Sequence, residues 1–185
     1  MNEITIDPKK WKLYESAFIK SIRRCLADDA VYWGLVCYRL GRPDNMWRRM
    51  FIHLSEDVGL AEPHIAQDIE ALYRTWITLR DPEGKAAYES ENNQFLPFIH
   101  AVMLLAYARK SRAVDNAYIV HCKAPFVERE VPDYATDLHS PKGRRMGRDI
   151  EHWITEASRI NNEPIRDPWR ESSEEFQRGT NKEKE

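Results

Sequence analysis

The sequence predicts an all-α protein, and three observations support this prediction. Apolar residues recur at steps of three and four through most of the chain, which is the spacing of an amphipathic helix. Glycine is scarce, with seven in 185 residues, whereas a turn-rich β-fold uses many glycines. No segment longer than a few residues alternates apolar and polar side chains as a half-buried strand does. We therefore expect a compact domain of several short helices joined by short loops.

An aspartate–proline pair and a glycine delimit the first two predicted helices. Asp7 can accept hydrogen bonds at an N-cap and Pro8 fits the first helical position, so helix one is expected to begin there. Its apolar stripe consists of Trp11, Tyr14, Phe18, Ile22 and Cys25. Asp28 or Asp29 is expected to cap the second helix, and Gly41 is expected to end it.

The third and fourth predicted helices flank a short turn. The third has its apolar residues between positions 46 and 58 and is expected to end at Gly59. Pro63 opens the fourth, which carries a regular apolar stripe. Residues 80–93 then break the pattern with a proline and a glycine, so we predict a loop there, with room for a short helix over residues 85–91.

Three more helices are expected before the chain becomes polar. Their predicted ranges are residues 95–109, 112–121 and 145–160. Ser111 can cap the second of these helices, while Lys110 neutralises the end of the preceding one. Residues 123–142 contain three prolines, which favours an extended or turning backbone.

The change of composition near residue 161 suggests how the chain is divided. Residues 1–161 are expected to form one helical domain. Residues 162–185 are polar and mixed in charge, and the last of them have almost no apolar content. We therefore expect a flexible tail over this second range.

Charge and cysteine content narrow the classes of function. The formal net charge is -2, so contact with nucleic acid has to come from a local basic patch. Three cysteines without a CxxC pair predict reduced thiols, and neither a disulfide framework nor a zinc site. The N-terminus lacks the apolar segment of a signal peptide, and no apolar run approaches the ~20 residues that span a bilayer. We therefore expect a cytoplasmic protein without membrane contact.

The chain lacks the sequence patterns of the common catalytic sites. Neither GxxxxGK[ST] nor GxGxxG occurs, so unaided ATP hydrolysis is not expected. HExxH and GxSxG are absent as well. His53, Glu56 and Asp57 lie near one another, but a polar, solvated helix end is commoner than a metal site at such a position. We predict a protein that is not an enzyme and that holds neither a metal nor a cofactor.

The strongest basic segment is SPKGRRMGR, which contains no acidic residue. Its cations are Lys142, Arg144, Arg145 and Arg148. Guanidinium groups at a helix start can bind phosphate oxygens, so these four residues are our predicted nucleic-acid contacts. The alternative is a solvated charge run that pairs with Asp149 and Glu151.

The six tryptophans indicate packing more than catalysis. Five of them lie on helical apolar stripes, which is typical of a core or an oligomer interface. We predict that packing or subunit contacts involve Phe18, Trp33, Trp47 and Phe51. Base stacking on single-stranded DNA needs an exposed aromatic ring beside cations, and locally only residues 47–49 (WRR) provide that pattern.

Four stretches of the sequence resemble one known family. They are SAFIKSIR with DDAVYW between residues 16 and 33, RRMFIHLSEDVGLAEP at 48–63, AVMLLAYARKSRAVDNAY at 101–118, and residues 131–161. Their order and spacing are similar to the C-terminal helical domain of the replication-associated recombination protein A (RarA/MgsA) family, which are AAA+ ATPases related to clamp loaders. The family's glycine- and tyrosine-rich ending is replaced here by HSPKGRRMGR, and residues 80–93 differ from its compact loop.

The resemblance implies an all-helical domain similar to the collar of clamp loaders. In that family the domain holds AAA+ subunits together, typically as a tetramer, and the full-length proteins act at stalled forks and in recombination. We therefore expect a non-enzymatic oligomerisation or interaction module of DNA replication, recombination or repair, without an ATPase module of its own. Expected partners are copies of itself, a separate AAA+ ATPase, single-stranded-DNA-binding protein, or DNA. Two alternatives stay open: a DNA-binding protein that uses the basic segment, and a mobile-element factor that docks onto a host ATPase.

Overall fold

The computed structural model describes residues 6–80 and 91–182, with side chains from residue 93 to residue 180 in the second range. These residues contain helices, turns and loops but no strand, which confirms the all-α prediction. They divide into two compact units, Met1–Phe126 and Val127–Glu185. None of the described helices is both long enough and apolar enough to cross a membrane.

The first unit contains six α-helices among its described residues. They are α1 (Trp11–Arg23), α2 (Ala27–Arg39), α3 (Pro43–His53), α4 (Ile65–Leu79), α5 (Glu91–Tyr107) and α6 (Ala113–Tyr118). Short 3-10 turns at Pro8–Lys10 and Gly59–Ala61, and wider π-helical turns at Leu54–Val58 and Ile119–Lys123, extend these helices. The loop predicted at 80–93 lies for the most part outside the described residues.

The start of α1 agrees with the sequence, but the start of α2 does not. The Asp7 carboxylate accepts a hydrogen bond from the Lys9 amide at 2.9 Å, as predicted for an N-cap. α2 begins earlier than predicted, with Leu26 at its N-cap position. Asp28 and Asp29 therefore lie inside its first turn, where their charges favour the positive end of the helix dipole.

Two glycines end helices where the sequence placed them, and each has a positive φ. Gly41 follows α2 with φ 74°. Gly59, with φ 48°, follows the π-helical turn that continues α3. A Cβ atom on Gly59 would lie 3.1 Å from the Val114 side chain, so both the backbone angle and the space favour glycine.

The core of the first unit is built around aromatic side chains from α1 to α5. Trp47, Trp76, Phe18 and Phe98 are fully buried or nearly so. The ring centroids of Trp47 and Trp76 are 5.7 Å apart. The Trp76 indole donates a hydrogen bond to the Tyr38 hydroxyl at 2.9 Å, so a polar atom within the core is satisfied. Burying each such ring stabilises the fold by about 1.5–3 kcal/mol.

The three cysteines differ in environment. Cys37 is buried in the core, and burial raises the pKa of its thiol to about 11. Cys25 and Cys122 are exposed, the first in the left-handed turn between α1 and α2 and the second in the π-helical turn after α6.

The second unit contains three α-helices among its described residues, α7 (Pro141–Arg145), α8 (Ile150–His152) and α9 (Arg170–Lys182). The predicted boundaries of the helix at 145–160 are wrong. Gly147, with φ 73°, breaks the helical backbone between α7 and α8, and Asp149 caps α8. The sequence did not predict α9, a helix of polar residues within the range expected to be a tail, and the flexibility of that tail stays a prediction.

Candidate interaction site

A buried cluster of charged residues lies where three elements of the first unit meet. His53 ends α3, and Asp57 follows it by four residues in the π-helical turn. Both side chains are only 1% exposed. The His53 imidazole donates a hydrogen bond from Nδ1 to the Asp57 carboxylate. The expectation of a solvated helix end is therefore wrong for this pair.

Two arginines from distant parts of the chain neutralise Asp57. Arg23 at the end of α1 donates from Nε to Oδ1 at 2.8 Å, and Arg112 before α6 donates from Nη1 to the same oxygen at 3.1 Å. The Ser111 amide donates to the Asp57 carbonyl oxygen at 2.8 Å. The cluster thus fixes the position at which α6 begins relative to α1 and α3.

The buried position of His53 in this cluster shifts the pKa of its imidazole downward. Burial lowers the pKa of its imidazole, while the hydrogen bond and the charge of Asp57 oppose that effect. Its Nε2 atom is buried and has no hydrogen-bond partner among the described residues. Imidazolium at this position would be a charge removed from water, which burial disfavours.

The same cluster has to be considered as a metal site. Ligand atoms of His53, Glu56 and Asp57 lie within 4.8 Å of one another. Both Asp57 and Glu56 already form ion pairs with Arg23, and Arg112 stands 3.1 Å from Asp57. A divalent cation would have to compete with two guanidinium groups, so the geometry favours a structural ion-pair network.

α6 and the turn that follows it present an apolar surface to solvent. Four large side chains of this segment are between 37% and 57% exposed: Val114, Tyr118, Ile119 and Val120. We call these four residues the α6 surface. A helix with apolar residues around most of its circumference normally packs against a partner. Sequence analysis missed this surface, although the run AVDNAYIV at residues 113–120 carried the signal.

The junction before α6 agrees with the sequence at Lys110 but not at the cap, because Arg112 and not Ser111 takes the N-cap position of α6. Lys110 donates from Nζ to the carbonyl oxygens of Leu105, Ala106 and Ala108 at 2.6–3.2 Å, which neutralises the end of α5. The Ser111 hydroxyl accepts from the Ala113 amide at 3.3 Å. The helix that carries the α6 surface therefore starts from a well-connected point.

The four predicted interface residues fall into two groups. Phe18 and Trp47 are core residues that touch neighbouring helices of their own chain. Trp33 and Phe51 are partly buried at the edge of the core, where Trp33 stacks on Tyr14 with ring centroids 5.5 Å apart. Subunit contact by any of the four remains a prediction, and only Trp33 and Phe51 have surface to contribute. Base stacking on Trp47 is wrong, because its ring is buried.

The basic segment also divides into two groups. Arg148 donates to the carbonyl oxygens of Asp133 and Thr136 at 2.9 and 2.7 Å, and Arg144 donates to two carbonyl oxygens of residues 138–139. The side chains of Lys142 and Arg145 are exposed and have no ion-pair or hydrogen-bond partner in the part of the chain that is described. Two of the four predicted phosphate contacts are thus occupied by the fold of the second unit, and two are open to solvent.

Comparison with known proteins shows the family to which this chain belongs. The family model for the MgsA AAA+ ATPase C terminal matches residues 26–156, which include α2 to α8. The replication-associated recombination protein A of Escherichia coli (strain K12) is 33% identical over 137 residues, 72% of this chain and 28% of that protein. The protein of the same name from Bacillus subtilis (strain 168) is 27% identical over 141 residues, 74% of this chain and 31% of the relative. That from Haemophilus influenzae is 30% identical over 125 residues, 67% and 25% of the respective chains. The chain therefore spans about a quarter to a third of the length of these relatives.

Proposed function

We propose that this chain, which belongs to the MgsA AAA+ ATPase C-terminal family, is a non-enzymatic module through which copies of itself assemble. The α6 surface is the observation that carries the proposal. It lies inside the range that matches the family, and it exposes four large apolar side chains on one short segment. Burying such a segment in a symmetric contact removes apolar area from water, which is the main driving force of obligate interfaces.

The buried charge cluster supports the same proposal. A surface assembles with little loss of conformational entropy when it is already held in one position. Arg112 and Ser111 connect the start of α6 to Asp57, and Lys110 connects it to the end of α5. The cluster has therefore a structural role in our proposal, which is to present the α6 surface rather than to perform chemistry.

The setting of this assembly is inferred from the relatives. The relatives are named replication-associated recombination protein A, and for this reason we place the chain in replication and recombination. We expect a tetramer, because the domain that this chain resembles typically holds its family's subunits together as a tetramer. A separate AAA+ ATPase and single-stranded-DNA-binding protein are the further partners that we propose for the assembled module.

Light scattering coupled to size exclusion tests the assembly directly. The native chain should give a mass near four times 21.8 kDa at two protein concentrations. The variant Ile119→Ser with Val120→Ser should dissociate, since it places two hydroxyl groups in the proposed contact. Ile77→Ser on α4 is the matched control, because Ile77 and Ile119 are 45% and 47% exposed. A native monomer, or a double variant that keeps the native mass, would contradict the proposal.

A second candidate function is nucleic-acid binding by the second unit. Lys142 and Arg145 favour it, because they are exposed cations without a carboxylate partner among the described residues. The variant Lys142→Ala with Arg145→Ala should weaken DNA binding and reduce the slope of log affinity against log salt by about two. Arg148 is left intact in this variant, since its loss would disturb the fold itself. Unchanged binding and an unchanged slope would exclude this site.

A further inference from the structure

The outer face of α5 is apolar, as its inner face is. The inner face lies in the core of the first unit through Phe98, Ala101, Val102 and Leu105. On the outer face, Leu96, Met103 and Tyr107 are 66%, 38% and 70% exposed, and the exposed His100 lies between them. We call these four outer residues the α5 stripe. A helix that is apolar on both faces is normally covered on both, so the composition of α5 calls for a partner on its outer face.

The α5 stripe belongs to a helix face without charge. Residues 92–108 contain no aspartate, glutamate, lysine or arginine. The helices α1 to α4 differ, because each exposes at least one charged side chain, such as Lys20, Asp28, Arg48 and Asp68. Among the described helices of the first unit, α6 alone resembles α5 in this respect, since its one charged residue, Asp115, is partly buried and paired with Arg112. Loss of charge from an exposed apolar face is typical of the centre of a protein interface.

The spacing of the α5 stripe is symmetric about its centre. Steps of four, three and four residues separate positions 96, 100, 103 and 107, which keeps them on one side of the helix. When two α5 helices pack antiparallel across a two-fold axis, Leu96 lies opposite Tyr107 of the second copy, and His100 lies opposite Met103. The stripe is therefore complementary to itself. The absence of charge suits such a contact, because a two-fold axis brings like residues near one another and like charges would repel.

We propose that the α5 stripe forms a two-fold contact between copies of this chain, separate from the contact made by the α6 surface. The inference rests on the proposed assembly and adds a second interface to it. The two surfaces share no residue, and their helices pack on different elements: α5 on α1 to α4, and α6 on the two turns that follow α3. The smallest closed assembly with two different two-fold contacts contains four copies. The tetramer is then a dimer of dimers.

The mass in solution separates the two contacts. Leu96→Asp should convert the tetramer into a dimer of twice 21.8 kDa, because the contact would bury two unpaired carboxylates. Ile119→Ser with Val120→Ser should also give a dimer, and the three substitutions together should give a monomer. Leu13→Asp on α1 is the matched control, since Leu13 and Leu96 are 65% and 66% exposed. Circular dichroism on the same samples shows that each variant is folded.

Disulfide formation tests the antiparallel arrangement. The exposed Cys25 and Cys122 are first replaced by serine. Leu96→Cys with Tyr107→Cys should then form a covalent dimer on mild oxidation, because each thiol faces the other position of the second copy. Either substitution alone should not, since eleven residues of helix place the two copies of one position about 16 Å apart along the axis. A disulfide needs Cα atoms within about 7 Å, so the single variants are the matched controls.

The outcomes distinguish this inference from the proposed function. A folded Leu96→Asp variant that keeps the native mass overturns the α5 contact, even when the Ile119 and Val120 variant dissociates. A native tetramer that Leu96→Asp alone converts into a monomer overturns it as well, because both surfaces would then belong to one interface. Loss of mass in Leu96→Asp, with none in the Ile119 and Val120 variant, supports the α5 contact and contradicts the role of the α6 surface.

Two further results would overturn the α5 contact. The first is equal dissociation by Leu13→Asp, since the effect would then follow from any new charge on the surface. The second is a covalent dimer from either single cysteine variant and none from the double variant, because the helices would then not be antiparallel. A native monomer that forms no disulfide in the double variant contradicts the proposed function and this inference together.

Discussion

The first unit buries Trp47 and Trp76 completely between helices, whereas only Thr136 and Gly143 are buried among the described residues of the second unit. The second unit is held instead by polar contacts such as those from Arg148 to two carbonyl oxygens and from Arg178 to Glu151. Burial of apolar area supplies most folding free energy, while exposed ion pairs contribute about 0–1 kcal/mol each. The two units should therefore differ greatly in the free energy at which they open.

The exposed apolar residues of the second unit support the same conclusion. Val131, Tyr134, Trp169 and Phe176 are each exposed by more than 60%. Large apolar residues that pack on nothing within a chain commonly pack on a partner or on another part of an assembly. We therefore expect the first unit to fold by itself. The second unit should become fully ordered only when its exposed apolar residues pack on a partner or within an assembly.

The largest effect is expected when the same substitution, tryptophan to alanine, is made in each of the two units and the losses of stability are compared. Trp76→Ala should lower the free energy of unfolding by about 3–5 kcal/mol, because it leaves a cavity in the core. Trp169→Ala in the second unit should cost less than about 0.5 kcal/mol, since that ring is 74% exposed. Urea denaturation followed by circular dichroism measures both. Similar costs for the two variants would contradict the contrast drawn here.

The next effect concerns the buried charge cluster around Asp57 in the first unit. Asp57→Asn should cost about 2–3 kcal/mol, because Arg23, Arg112 and His53 lose their common acceptor charge. Glu62→Gln is the control. Glu62 forms a pair of similar length with Arg109 at the surface, where solvent screens the charges, so this variant should cost much less than Asp57→Asn. The same denaturation experiment compares them, and equal costs would show that burial of the cluster has no energetic weight.

A smaller effect is expected in the second unit when the Arg148 side chain is removed. Arg148→Ala should lower the local opening free energy of residues 133–136 by about 1–2 kcal/mol, because two carbonyl oxygens and the Asp133 carboxylate lose a donor. Arg145→Ala, three residues earlier and without such contacts, should leave the segment unchanged. Hydrogen exchange measured by mass spectrometry resolves this segment. Slow exchange that persists in the Arg148 variant would mean that other contacts hold it.

The smallest expected effect is a pH dependence from His53. The folded chain holds the pKa of this imidazole below its usual range, so the unfolded chain binds more protons as the pH falls. The stabilising contribution is present above about pH 6.5 and is lost below it, until the pH reaches the lowered pKa of the folded state. Urea midpoints should therefore fall less steeply with acidification in His53→Leu than in the native chain. The exposed His64 provides the control, and an unchanged slope for His53→Leu would contradict the prediction.

Local patterns predicted most of the helices, but not the contacts between them. Chemistry within a few residues accounts for the Asp7 cap, the Gly41 and Gly59 stops and the contacts of Lys110 with the end of α5. The Ser111 cap was wrong, because Arg112 takes the N-cap position of α6. The start of α2 was misplaced because Asp28 satisfies the N-cap preference as well as an acidic first turn does. α9 was missed because its sequence is too polar to show an apolar stripe clearly.

The candidate sites were harder to predict from the sequence, because they depend on contacts between residues that are far apart in the chain. Arg148 and Lys142 look alike in a basic run, and only the folded loop shows that Arg148 donates to Asp133 and Thr136. Arg112 lies 55 residues from Asp57. Tertiary pairings of this kind leave no periodic trace in one sequence. The family resemblance compensated in part, since it located the domain without showing which surface is exposed.

The three cysteines differ in their reactivity toward alkylating reagents, and this difference can be used to detect assembly. A thiol reacts as thiolate, so Cys37, buried and with a pKa of about 11, stays silent toward alkylating reagents in the folded chain. Cys122 is exposed two residues after Val120, at the edge of the α6 surface, while Cys25 is exposed in the turn after α1. The rate at which Cys122 is alkylated, divided by the rate at Cys25, therefore gives an internally normalised signal of whether that surface is covered.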